Sequence, residues 1–437
     1  MQETNMKSYC DQVLLEHLTW LDSQNLGDND ELIHKARLIL LDTLGCVYGA
    51  FHAEEIKTLE STYAAHDPGT HRIHKGPGLS MNAIIHLFAY AACWDEACEG
   101  NAVSHGRPGI ATLAGMYPWL EQLTLKQFLV NFIKGYEIST KFAEMLRIKP
   151  GMHVDGNWPA LGTAAAVGKC LGLANEEIVS ALNLVASQIP MSLYLPIAQG
   201  ANGRNSFLGH AAQLGVQSVL SIKAGIKAPQ EAIVEYAKIA LSIEKPMWNE
   251  SRVMNISTTY IKPFAAVRHV HYGALAALAL KDSIDIHKVE KIELKIYREA
   301  TIYCSNRAPQ TPIQAQFSLS YGLACALAKH HLDPNAYDDM TLQDPMVRKL
   351  EQCVEISIDE DLTRKGLRGA TLTVHTSSGT VSHSLQSALG DIDQPMSDSS
   401  IVDKFCRYAN AKLGFEFAKQ ISNSILLGHL NEECPHL

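Results

Sequence analysis

The sequence predicts a mainly α-helical protein with an α+β part: a large all-helical domain plus a smaller α+β domain. Three observations predict it. Apolar residues recur at helical spacing through about the first 260 residues, then alternate with polar ones after about residue 285. A polar, turn-rich stretch at 391–400 leads back into helical spacing at 401–430. With 437 residues, 46% of them hydrophobic, the chain can bury a large core in two domains or more.

The elements follow in order. Ile33, Ala36, Leu40, Leu44 and Val47 mark a first helix, and Met81, Ile84, Ile85, Phe88 and Ala92 a second. Thr124 with Gln127 forms a capping box that opens a helix running to about Arg147. Residues 162–173 are a helix of small side chains, suited to close packing at the centre, and Asn175-Glu176-Glu177 caps the next, through Ala186. Ile292, Leu294 and Ile296 alternate with Glu293 and Lys295 as in a half-buried strand, and Val354, Ile356 and Ile358 repeat the pattern. Leu372 and Val374, Ser378-Gly379 and Val381 read as a hairpin, with a helix over 318–330 between the strands.

Composition narrows the function. A net charge of −9 without a Lys or Arg run argues against nucleic acid, so an anionic substrate needs a local Arg, Lys and His pocket. No stretch approaches the roughly 20 apolar residues of a membrane span. The charged, polar start has no signal-peptide pattern, and the ten scattered cysteines suit reduced thiols rather than disulfides or zinc. A cytoplasmic enzyme fits, with the mitochondrion left open.

Five constellations could carry chemistry. Asp95-Glu96-Ala97-Cys98-Glu99 with Ser104-His105-Gly106-Arg107-Pro108 follows a helix ending at Trp94, where His105 could act as acid or base; the alternative is a solvated loop. Gly151-Met152-His153 through Leu161 leads into the alanine helix and is either an anion site beside His153 or a flexible connector. Gly203-Arg204-Asn205 offers a planar fork for a carboxylate, or a surface charge. Lys262-Pro263-Phe264 through Arg268-His269-Val270-His271 gathers four potential cations just before an apolar helix over 272–280, as a polycarboxylate pocket or a charged helix start. Tyr321, in Phe317-Ser318-Leu319-Ser320-Tyr321, is a proton donor only if its hydroxyl faces a pocket.

Taken together, these blocks resemble the MmgE/PrpD family of 2-methylcitrate dehydratases, cis-aconitate decarboxylases and iminodisuccinate epimerases. Leu41-Asp42-Thr43-Leu44-Gly45-Cys46 resembles the family's early helix motif, and the likeness spans roughly residues 30–405. It implies an all-helical domain from both chain ends, 1–264 with 395–437, and an α+β lid, 265–394, in a homodimer. It places the active site in the cleft between the domains. Asp95, His105, His153, His271 and Tyr321 match the family's active-site positions and are the expected catalytic residues. Arg204, Lys262, Arg268, Glu99 and Arg107 are expected to bind substrate, with no metal and no cofactor. Two positions depart: Glu99 stands where decarboxylase-like members carry Thr, and Arg204 where many carry Lys. Trp158 adds bulk to the loop before the alanine helix.

The reaction so implied is dehydration of a small hydroxy-polycarboxylate without metal. Epimerisation or isomerisation, decarboxylation, and an inactive metabolite-binding relative are the alternatives. Which residue is acid and which base stays open.

Overall fold

A computed structural model describes residues 2–435, with side chains from Cys10 onward. Met1, His436 and Leu437, the outer bounds of the expected helical domain, lie outside the described residues, as do the side chains of the polar start up to residue 9.

Helical spacing becomes helices where expected. The Asn29 side chain accepts the Leu32 N–H at 3.1 Å and caps helix Asp30–Gly49, which is buried from Ala36 to its end. Helix Met81–Trp94 ends at the expected tryptophan. Helix Leu125–Met145 opens with the capping box: Gln127 N–H donates to Thr124 Oγ1 at 3.2 Å, and Thr124 N–H to Gln127 Oε1 at 2.9 Å. Its neighbour Pro159–Cys170 is the alanine helix. A Cβ at Gly135 would stand 2.8 Å from the Gly162 carbonyl oxygen, so small residues let these two backbones meet.

Three local expectations need correction. Asn175 does not cap helix Asn175–Ala186 but is its first residue; its amide donates to Asp22 Oδ2 at 2.9 Å, and Glu177 accepts the Ala174 N–H at 2.8 Å instead. The final helical stretch is two helices, Asp398–Leu413 and Phe415–Leu427, broken where Gly414 takes a φ of 76°. The apolar helix expected from Tyr272 begins one turn earlier, as Arg268–Leu280, so Arg268, His269 and His271 sit in its first turn.

The smaller part is built on a four-stranded sheet. Strand Val289–Ile296 pairs parallel with Val354–Ile358 on one side and antiparallel with Ala370–Thr376 on the other. Ala370–Thr376 then makes the hairpin with Gly379–Leu385. Ile292, Leu294 and Ile296 are fully buried, and Leu294 lies 3.4 Å from where a Gly273 Cβ would stand, beneath helix Arg268–Leu280. Helix Leu319–Lys329 packs beside that helix. Helix Asp398–Leu413 returns across Asp30–Gly49, where a Cβ at Gly45 would stand 3.1 Å from Phe405 Cδ2.

One small ribbon positions the site. Gly100–Asn101 pairs antiparallel with Thr259–Tyr260, tying the loop after Trp94 to the segment that enters Lys262. Asn101 holds the next turn: its Oδ1 accepts from Val103 and Ser104 N–H at 2.9 and 3.0 Å, and its amide donates to the Asn255 carbonyl at 2.9 Å. Among the described residues no helix is long and apolar enough to cross a membrane.

Candidate active site

The chain leaves helix Met81–Trp94 and immediately puts Glu96, a non-glycine residue, at a φ of +52°. Such strain persists only where surroundings enforce it. Here they do. The buried Glu96 carboxylate meets Arg107 Nη1 at 3.1 Å, Lys262 Nζ at 2.8 Å and Arg204 Nη2 in a close ion pair. Lys262 also donates to the Glu96 carbonyl at 2.8 Å. Arg107 Nη2 pairs with Asp155, and Arg204 Nη1 lies 3.9 Å from Asp155 Oδ2.

Three cations thus face two carboxylates, all nearly sealed from water. Burial alone would raise both acids. Arg107, Lys262 and Arg204 outweigh it at Glu96, holding it well below the usual carboxylate range; Arg107, with Arg204, lowers Asp155. One positive charge is left in excess. Arg204, 1% exposed over the Phe317 ring, keeps Nε and Nη1 without a hydrogen-bond partner. Cys93 and Cys304 border the cluster, but burial raises both thiols, Cys93 to about 12, so neither supplies a thiolate near neutral pH.

A row of rings leads from this cluster to the sheet-bearing part. His153 Nδ1 accepts the Asp155 N–H at 3.2 Å, and its ring stacks on Tyr194 at 6.2 Å. Tyr194 donates to the Tyr303 carbonyl at 3.1 Å, and Tyr303 stacks on His269 at 6.0 Å. His105, the second strained residue with φ +54°, is half exposed, and its Nδ1 lies 3.9 Å from Glu299 Oε1, which belongs to the sheet-bearing part. Arg368 holds the other Glu299 oxygen at 3.1 Å. Burial lowers the pKa of both imidazoles, His153 to about 4 and His105 further helped by Arg147, so both are neutral near pH 7.

Residues 18–240 match the profile of the MmgE/PrpD N-terminal domain, and residues 264–425 that of the MmgE/PrpD C-terminal domain. The chain belongs to the MmgE/PrpD family. Compared with curated proteins one by one, it matches none. Family membership supports a dehydratase-like or related lyase or isomerase activity on the two-domain MmgE/PrpD architecture.

Of the residues expected from sequence, this MmgE/PrpD chain brings Arg107, Arg204, Lys262 and His153 into one cluster; His105, two residues before Arg107, turns toward Glu299. The others turn elsewhere. Asp95 accepts from or donates to no member of the cluster; its Oδ1 pairs with His52 Nε2 at 3.0 Å. Glu99 is sealed between the Gly109 N–H at 2.8 Å and the Tyr136 hydroxyl at 3.4 Å, and burial raises it to about 8. His271 Nε2 donates to the Ala266 carbonyl at 3.0 Å, and burial beside Lys262 lowers the ring to about 3. Tyr321 donates to the Ala336 carbonyl at 2.5 Å, packed beside Tyr337. Arg268 lies 4.1 Å over the Tyr260 ring and pairs with Asp391 at 2.6 Å, though its Nη1 has no partner.

Three residues escaped selection from sequence: Glu96, Asp155 and His269. Each lies inside one of the five constellations. The available signal was arithmetic, since buried Arg107, Arg204 and Lys262 require buried acids, and Glu96 and Asp155 are the acids nearest in those segments. Gly106 is also part of the design, because a Cβ there would stand 2.6 Å from Trp158 Cζ2, so Trp158 fills space under the His105 turn. Among the described residues, no group of three or more His, Cys, Asp or Glu side chains is gathered as a metal site. Two surface hollows of about 350 and 530 Å³ share no residue with the cluster.

Proposed function

We propose that this MmgE/PrpD chain is a lyase of the dehydratase type, acting beside a carboxylate of a small hydroxy-polycarboxylate, similar in chemistry to a 2-methylcitrate dehydratase. One observation carries the reading: a buried cluster with cationic excess, in which Arg204 Nε and Nη1 have no hydrogen-bond partner. Buried guanidinium donors without acceptors are costly, and a substrate carboxylate supplies oxygen acceptors for them.

A proton on carbon next to a carboxylate is only weakly acidic. Its removal piles charge onto that carboxylate, and Arg204 and Lys262 stabilise the charge where it develops. His105 is neutral near pH 7, so it has a lone pair with which to take the proton. His153 spends Nδ1 on the Asp155 N–H, which leaves its N–H on Nε2 as a hydrogen-bond donor to the departing hydroxyl. Carbon loses a proton to His105 and a hydroxide, His105 returns that proton to the hydroxide, and the products are an alkene and water with both imidazoles neutral again.

The test is a panel of hydroxy-di- and tricarboxylates incubated with the enzyme in heavy water and read by mass spectrometry. Loss of water supports the dehydratase. Deuterium uptake without mass loss to water makes the chain an epimerase or isomerase, and release of carbon dioxide makes it a decarboxylase. Tight binding of a carboxylate without any conversion marks an inactive binding relative.

A further inference from the structure

The start of helix Arg268–Leu280 carries two histidines, and they do different things. Two helical residues differ by about 200° around the axis, so His269 and His271 point to opposite sides. His271 is used up inside the domain on the Ala266 carbonyl and the Phe264 ring. His269 keeps a residual exposure of 8%, and its Nδ1 bonds inward to the Tyr297 hydroxyl at 2.6 Å, so its open edge is Nε2. No described residue partners that Nε2. The charges acting on the ring come from Arg368, Arg268, His105 and Lys262, and Lys262 is a member of the Glu96 cluster. The Tyr303 ring, 6.0 Å away and within 10° of parallel, fixes the imidazole plane.

We propose that His269 is a catalytic residue of this site, a neutral imidazole whose Nε2–H donates to the substrate carboxylate, held in that tautomer by the Tyr297 hydroxyl. The proposal rests on the carboxylate reading above. Its physical core is a proton count. Tyr297 is 3% exposed, and His269 Nδ1 is its hydrogen-bond partner among the described residues. A buried phenol O–H needs an acceptor, and Nδ1 is the one in reach. Tyr297 therefore donates, Nδ1 holds the lone pair, and the ring proton sits on Nε2. Burial first, and then Arg368 and Arg268, oppose the imidazolium, so the ring donates without carrying charge. Such a donor bonds a carboxylate more strongly as negative charge builds on it, which is the event that α-proton removal produces. Tyr297 is a positioning residue, because it acts on substrate only through His269.

The decisive experiment pairs nitrogen NMR with kinetics on the full chain. With ¹⁵N-histidine labelling, the His269 signals, assigned as those missing from His269→Gln, should show a protonated Nε2 and a bare Nδ1 at pH 7.5; Tyr297→Phe should blur that pattern into mixed tautomers. A protonated Nδ1, or a charged ring, overturns the proposal. On any carboxylate the wild type converts, His269→Ala should lower kcat by on the order of 10²- to 10³-fold. His269→Gln, whose amide N–H stands near the Nε2 position, should recover at least about tenfold of that loss with the pH profile unchanged. Equal loss in both variants together with a vanished pH limb makes His269 a proton carrier and overturns the donor role; so does near-normal kcat in His269→Ala. If the wild type converts no carboxylate, the lyase reading falls. The donor role falls with it only if saturating citrate, used as the probe, also leaves the Nε2–H resonance unmoved.

Discussion

The Arg204 guanidinium pairs with the Glu96 carboxylate through Nη2 while Nε and Nη1 of the same group stay without hydrogen bonds. Both nitrogens are buried donors that lack an acceptor. Glu96 keeps Lys262 and Arg107 as further partners, so it stays neutralised when Arg204 engages an anion.

Arg204→Lys keeps the charge and removes the planar two-point geometry. The expected outcome is a KM raised about tenfold or more with kcat changed only a few fold, since one point charge remains near the carboxylate. Steady-state kinetics on the converted substrate checks it. An unchanged KM means that Arg204 only neutralises Glu96.

His105 sits at φ +54°, a conformation glycine adopts without strain. His105→Gly should therefore lose turnover by about 10²- to 10⁴-fold without losing stability. In the wild type, activity should fall as pH drops through a pKa below the ordinary histidine value, because burial and Arg147 disfavour the imidazolium. That acid limb should be missing from whatever residual rate His105→Gly retains. Full turnover in the variant removes His105 from the proton path.

Glu99 is a pH probe for the fold. Burial raises its folded pKa from 4.5 to about 8. The folded state then binds the proton more tightly than the unfolded chain, so stability is complete below about pH 4.5 and declines as pH rises to about 8, by up to about 1.4 kcal/mol per pH unit. Glu99→Gln keeps an acceptor for the Gly109 N–H and carries no proton to lose. Denaturant unfolding at pH 6 and pH 8 should show the wild type losing on the order of 1–3 kcal/mol more than the variant between the two. Parallel pH curves contradict a protonated Glu99.

Tyr321 donates its hydroxyl to the Ala336 carbonyl, inside the sheet-bearing part. Tyr321→Phe should cost about 1 kcal/mol of stability, the worth of one buried hydrogen bond, and leave kcat within a few fold. A collapse of kcat with stability intact would return the phenol to the chemistry.

Much of the architecture is legible in the sequence because periodicity is local. The spacing of Ile33 to Val47 and the alternation around Glu293 and Lys295 need no knowledge of the rest of the chain. The candidate site is legible only in part. Arg204, Lys262 and Arg107 stand out as cations in unusual settings, but Glu96 beside Asp95 reads as one more solvated acid until three cations from distant segments close on it. His269 and His271 are two residues apart, and which one is free depends on the helix phase. A helix begun at Tyr272 leaves both in a loop; the observed start at Arg268 sends them to opposite sides. Gly414, which splits the last helix, has a plain local cause that periodicity alone passes over.

The most direct measurement is a crystal structure of the enzyme soaked with the hydroxy-polycarboxylate it converts. One substrate carboxylate should place an oxygen within about 3.2 Å of Arg204 Nε or Nη1 and lie toward Lys262, the Glu96–Arg107 pair undisturbed. A substrate seated elsewhere, with Arg204 Nε and Nη1 still lacking hydrogen bonds, would contradict the account.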